Sequence, residues 1–175
     1  MGQYNKIIMT IAEFDHLNKE EKKKILYQCC GSATWVEKML TIPPANDLID
    51  LFEDAEEKWY ECNEEEWKEA FSNHPKIGDL ESLKKKFVST AQWASSEQSG
   101  VNAATEKTLE RLAEGNKLYE GKFGYIFIIC ATGRSAEEML EDLEERLTND
   151  PKDEIKVAAG EQNKITQLRL EKLFA

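Results

Sequence analysis

Along most of the chain apolar residues recur three and four apart, with polar ones between them, as amphipathic helices require. Ile25, Leu26, Cys29 and Cys30 share one face behind Asn18-x-x-Glu21, the spacing of a capping box. Thr10-x-x-Glu13 opens a shorter turn. Gly31 is expected to end the helix of Ile25, and a short helix over 32–40 then carries Trp35, Val36, Met39 and Leu40. Pro43-Pro44 breaks it, because proline lacks a donor and restricts the residue before it. The next helix, 46–60, places Leu48, Leu51, Phe52, Ala55 and Trp59 on one stripe. Asn63-x-x-Glu66 starts another, with Trp67, Ala70 and Phe71 inward, that stops at Asn73-His74-Pro75. Residues 80–88 read as a further helix.

The longest periodic stretch holds Val101, Ala104, Thr105, Thr108, Leu109, Leu112, Asn116 and Tyr119. It predicts one helix over 95–119, closed by Gly121 and Gly124. Tyr125-Ile126-Phe127-Ile128-Ile129-Cys130 is β-branched and aromatic, so it prefers an extended form. No second convincing strand pattern exists to pair with it, which predicts a buried extended segment, or the start of a helix, rather than a sheet. Ser135-x-x-Glu138 opens a helix with Met139, Leu140, Leu143 and Leu147. Asn149-Asp150-Pro151 reads as a turn, and a last helix over 153–174 carries Ile155, Ala158, Ile165, Leu168 and Leu173. The expected fold is all-α: a single-domain bundle over 1–175, of roughly seven to nine helices, with one buried extended segment near 125–130.

Length and charge narrow the class. A chain of 175 residues buries enough surface to need neither disulfides nor metal for its core. The net charge of −11 argues against nonspecific nucleic-acid or anionic-membrane binding, since both repel it. It leaves room for a small anion in a locally basic pocket. The four cysteines include an adjacent pair and form no C-x-x-C, which fits reduced thiols. The apolar stretch near the first residue is too short for a signal peptide, and the run 125–131 is too short for a membrane helix. A cytoplasmic protein is the expectation.

Few residues can carry chemistry. There are two histidines, and no H-E-x-x-H, G-x-S-x-G, P-loop or G-x-G-x-x-G. His16 reads as surface. His74 differs, because Pro75 restricts its backbone and so helps to aim the imidazole, the side chain best suited to proton transfer near neutrality. A helix-capping role is open to it as well. Glu97-Gln98 opens the long helix, where the dipole favours a carboxylate; its functional reading is to orient a histidine. Arg169, among apolar neighbours, is either a snorkelling surface residue or a planar fork for a carboxylate or urea-like group.

In order along the chain stand Cys30-Gly31-Ser32 with Trp35-Val36-Glu37-Lys38-Met39, Ala70-Phe71, His74-Pro75-Lys76-Ile77-Gly78, Ser96-Glu97-Gln98, Lys122-Phe123-Gly124 and Leu168-Arg169-Leu170. As an ordered set these resemble the 2-oxo-4-hydroxy-4-carboxy-5-ureidoimidazoline (OHCU) decarboxylases, which make (S)-allantoin in urate degradation. The resemblance implies an all-α, cofactor-free homodimer acting on a small ureidoimidazoline. It implies His74 as catalytic acid/base, Glu97 as its partner, and Gln98 and Arg169 as substrate ligands. Pro75 and the backbone of Phe127, Ile128, Ile129 and Ala131 would line the pocket. A serine is expected three residues before the Glu; this chain has Ala94 there, with Ser95 next, so a neighbouring hydroxyl substitutes or one hydrogen bond is missing. Such a bond is worth about 0.5–1.5 kcal/mol, which activity could survive. The competing reading is a noncatalytic all-α module that binds a ureide or other small anion; another is a helical interaction protein with an acidic surface.

Overall fold

The computed structural model describes residues 8–74, 81, 83, 84 and 98–174, with the backbone alone for 98–104. Among the described residues there are eight helices and no strand: α1 Ile11–His16, α2 Lys19–Cys29, α3 Ala33–Met39, α4 Leu48–Tyr60, α5 Glu64–Ser72, α6 Gln98–Phe123, α7 Ala136–Arg146 and α8 Pro151–Leu173. The all-α expectation holds. Of the helix expected at 80–88, residues 81, 83 and 84 are described and helical. The chain divides into two compact units, Met1–His74 with Ala159–Ala175, and Pro75–Ala158.

In the first unit local chemistry sets the helix starts. Thr10, Asn18 and Asn63 each accept from the backbone N–H three residues on, while the glutamate there bonds back to the cap. Asp47 caps α4 through the N–H groups of Ile49 and Asp50. α3 packs on α2, α4 and α5. Its Trp35 is fully buried and donates its indole N–H to the Ala55 carbonyl at 3.0 Å. Trp59 donates to the Ala159 carbonyl at 2.8 Å, and Trp67 to the Trp59 carbonyl at 3.0 Å. Each ring therefore contributes apolar area while its one donor is satisfied. Phe14 meets Phe174 edge-on, which closes α1 against the end of α8.

Gly31 does not stop α2. The helix ends at Cys29 with Cys30 as its cap, and Gly31 lies outside the left-handed region. Its role is close approach: a Cβ there would stand 2.7 Å from the Cβ of Asn73.

In the second unit α6 packs along α7. Gly115 permits this, since a Cβ would meet Leu143 Cδ2 at 2.6 Å. α6 runs four residues past the expected end. Gly121 stays helical with open space beside it, and Gly124, at φ +81°, makes the stop. Residues 126–131 follow without helix or ladder; Tyr125 and Ile128 are buried, and Phe127, Ile129 and Ala131 half-buried. α8 begins two residues earlier than expected. Pro151 serves as its first residue, a position where the missing N–H costs nothing, and the Asp150 carbonyl accepts from Glu154 N–H at 2.9 Å.

A buried ionic cluster secures this unit. Glu154 is fully buried and takes Arg146 Nε at 2.8 Å and Nη2 at 2.7 Å on one oxygen, with the Tyr119 hydroxyl; Asn149 Nδ2 reaches the other oxygen at 2.8 Å. Arg146 Nη1 donates to the Ile128 carbonyl at 2.8 Å, and the guanidinium lies over the Phe127 ring. Burial, then the Glu154 carboxylate, raises the Tyr119 pKa, so its hydroxyl stays a donor. Glu154→Ala would strand the buried guanidinium and should cost about 3–5 kcal/mol in urea unfolding. A loss below about 1 kcal/mol, typical of a surface pair, would mean that water replaces the carboxylate.

Candidate active site

His74 is placed by what precedes it. Asn73 caps α5, and its side-chain amide donates to the Gly31 carbonyl at 2.7 Å, the Tyr27 hydroxyl at 3.0 Å and the Glu69 carbonyl at 3.2 Å. The His74 N–H bonds to the Phe71 carbonyl at 3.2 Å. The clamp on Asn73 and this last turn fix the direction in which the imidazole leaves α5. The ring is half-buried, and its Nε2 is hydrogen-bonded to Oε1 of Gln162 on α8.

Gln162 is fully buried. Its amide Nε2 donates to Thr166 Oγ1 at 3.2 Å, and the Thr166 hydroxyl donates to the Gln162 carbonyl at 3.1 Å. Thr166 also hydrogen-bonds the Cys30 thiol. Arg169 follows on the same stripe of α8, since positions 162, 166 and 169 are four and three apart. Its Nη1 donates to the carbonyls of Gln28 at 3.3 Å and Cys29 at 3.2 Å, the end of α2 where a cation is favoured.

Two effects hold the His74 pKa below its ordinary value. Burial is the larger and the Arg169 charge the smaller, while the Gln162 bond opposes both. The thiols beside Arg169 and Thr166 stay neutral: burial pushes Cys29 up to about 11 and Cys30 up to about 12. Thiolate chemistry is therefore suppressed around His74.

Of the residues expected at the site, His74 and Arg169 lie in the first unit, His74 beside α8 and Arg169 on it. Phe127, Ile128, Ile129 and Ala131 form the non-helical run of the second unit, where Arg146 fixes the Ile128 carbonyl. Gln98 is the first residue of α6, described by its backbone alone. Pro75, Ala94, Ser95 and Glu97 lie outside the described residues. Sequence reasoning missed Gln162 and Thr166, whose one signal is helical spacing back from Arg169.

The model of one family, the OHCU decarboxylases, matches residues 15–171. The chain belongs to the OHCU decarboxylase family. A "Uric acid degradation bifunctional protein TTL" of Arabidopsis thaliana is 44% identical over 151 residues, which are 84% of this chain and 45% of that protein. An OHCU decarboxylase of Amia calva is 33% identical over 101 residues, covering 58% of this chain and 57% of its own length. The chain thus spans about half the length of these curated relatives. A crystal structure of OHCU decarboxylase in the presence of (S)-allantoin is 40% identical, with a TM-score of 0.68 over 90% of this chain and 99% of that one. An (S)-allantoin synthase, 18% identical with a TM-score of 0.68, shares the fold.

The depressed His74 pKa has a measurable sign. The unfolded histidine, near 6.5, takes its proton first as the pH falls, so the stability contributed by neutral His74 is full above 6.5 and is lost as the pH falls through the folded value. The NMR midpoint of His74 should lie below 6.5, and Arg169→Met, by removing a positive charge, should raise it. A midpoint that ignores Arg169 would separate the two residues electrostatically.

Proposed function

We propose that this chain decarboxylates OHCU to (S)-allantoin, with His74 as the general acid, and that 1–175 acts as one OHCU decarboxylase-like domain. The observation that carries the reading is a half-buried histidine, held by a buried amide beside Arg169, in a chain of this family. Its relatives support it: one is named for uric acid degradation, and one crystallised with (S)-allantoin.

The substrate supplies its own electron sink. Its ring carries a C=N bond next to the carbon that bears the carboxylate. When the bond to CO2 breaks, its electron pair enters the ring and the C=N pair moves to nitrogen. The hydroxyl-bearing carbon then becomes a carbonyl as the ureido-bearing carbon takes a proton. In balance one carboxylate and one solvent proton become CO2 and a C–H bond. The protein has to hold the carboxylate out of the ring plane, stabilise the developing charge and protonate one face.

Arg169 suits the second task, because a guanidinium in a partly desolvated site stabilises charge as it develops. His74 delivers the proton, and Glu97 supports its charged form. Gln98, Pro75 and the main chain of Phe127, Ile128, Ile129 and Ala131 hold the ring, with Ser95 standing in for the serine that Ala94 replaces. Charge repulsion supports a protein without nucleic-acid or membrane partners. No helix among the described residues is long and apolar enough to cross a membrane. A cytoplasmic homodimer completes the proposal, on the strength of the family.

The test is circular dichroism of freshly hydrolysed urate oxidation product. The protein should produce a growing (S)-allantoin signal, which spontaneous decay to the racemate lacks. His74→Asn should keep the helical spectrum and lose the acceleration, a drop of roughly 100-fold or more. Wild-type turnover in that variant removes His74 from the mechanism, and a folded wild-type protein with no signal favours a binding module. Glu97→Gln should slow turnover and shift its pH profile.

A further inference from the structure

We infer that Gln162 is a positioning residue: it locks His74 with the proton on Nε2, so that Nδ1 is the atom that gives its proton to substrate. The inference rests on the decarboxylase reading and adds the donor atom and the group that selects it.

The argument is one of hydrogen-bond direction. Gln162 Oε1 can only accept, so the His74 Nε2 that meets it must carry hydrogen. The amide orientation is set from its other end. Gln162 Nε2 donates to Thr166 Oγ1, whose own proton goes to the Gln162 carbonyl. Each donor in this chain finds an acceptor. A reversed amide would draw the Thr166 hydroxyl proton away from the Gln162 carbonyl to Oε1 and forfeit that hydrogen bond, within a site where a lost partner is costly. Gln162 and Thr166 are 0% and 3% exposed, so water offers neither of them an alternative.

The consequence fits the proton balance. The imidazolium carries hydrogen on both nitrogens. Breaking Nδ1–H leaves its electron pair on Nδ1, the new C–H bond forms on substrate, and the product is the Nε2–H tautomer that Gln162 already accepts. Neither His74 nor Gln162 has to rotate between the two states, and solvent returns the proton to Nδ1. The charged group of the described residues that faces the ring is Arg169, also from α8. It cannot accept a proton and so does not compete for Nδ1. With one ring N–H on Gln162 and the other aimed at substrate, the orienting role that the resemblance gives to Glu97 passes to Gln162, and Glu97 supports the imidazolium through its charge.

The experiment is long-range proton–nitrogen correlation NMR on protein labelled with nitrogen-15 histidine, at a pH above the His74 midpoint. The chain has two histidines, so His16→Gln assigns the spectrum. Neutral His74 should show hydrogen on Nε2 alone. Hydrogen on Nδ1, or a mixture like that of free histidine, overturns the proposal and returns orientation to Glu97. Gln162→Met should release the tautomer to a mixture and lower kcat roughly 10–100-fold with KM nearly unchanged. Gln162→Glu keeps an acceptor, so it should keep the Nε2–H tautomer and raise the His74 midpoint. An unchanged kcat in Gln162→Met also overturns it; if that variant fails to fold, the wild-type tautomer decides. A wrong tautomer in protein that makes (S)-allantoin defeats the role of Gln162 alone. The expected tautomer in protein that makes none defeats the decarboxylase reading alone.

Discussion

Polar side chains taken out of water have to be paid back in hydrogen bonds, and α8 is organised around that demand. Its buried positions include Glu154, Glu161, Gln162, Asn163 and Thr166. In the second unit Glu154 collects Arg146, Tyr119 and Asn149; in the first, Gln162 is satisfied by His74 and Thr166. Asn163 gives its amide nitrogen to Glu56 at 3.1 Å, while its Oδ1 is the exception, buried without a partner among the described residues. Partners of this kind are directional, so they fix rotamers and ring orientation where apolar packing would fix only volume. The candidate catalytic histidine inherits its geometry from that constraint.

This also explains what the sequence revealed. Four capping boxes, at Thr10, Asn18, Asn63 and Ser135, form where the S/T/N-x-x-E spacing placed them, because a cap depends on four consecutive residues and little else. The tryptophans of α3 and α4 were legible as core for a similar reason, since their faces repeat in phase with their helices. α8 was legible as a helix with an apolar face, but not in the polar residues it buries. Beside the apolar Ile155, Ala158, Ala159 and Leu170 it buries Glu154, Glu161, Gln162, Asn163 and Thr166, whose partners helical spacing does not reveal. The end of α6 was misplaced because Gly121, which costs a helix little beside open solvent, precedes Gly124, which takes the positive φ. Segment 126–131 could be recognised as non-helical, but its anchor, Arg146 on the Ile128 carbonyl, comes from a residue in another helix.

The site balances acidity against occupancy. Burial and the Arg169 charge make the His74 imidazolium a stronger acid, which in the proposed reaction makes it a better donor to carbon, while reducing the fraction that carries the proton. The Gln162 bond pulls the other way and restores part of that fraction. Arg169, anchored on the last carbonyls of α2, supplies positive potential without a proton that could be lost. In the proposed reaction the same residue sharpens the acid and favours the anion on which it acts.

The burial of Cys29 and Cys30 makes the folded protein its own gauge of local opening. A thiol pushed up to about 11 is thiolate in only about one molecule in ten thousand at neutral pH, so an alkylating reagent finds almost nothing to attack at Cys29 while the fold is closed. Cys30 touches Thr166, and the Cys29 carbonyl holds Arg169. Any excursion that loosens α8 from the end of α2 brings these sulfurs into water, where their acidity returns. The rate at which they are modified then counts how often the surroundings of His74 come apart, with no residue changed.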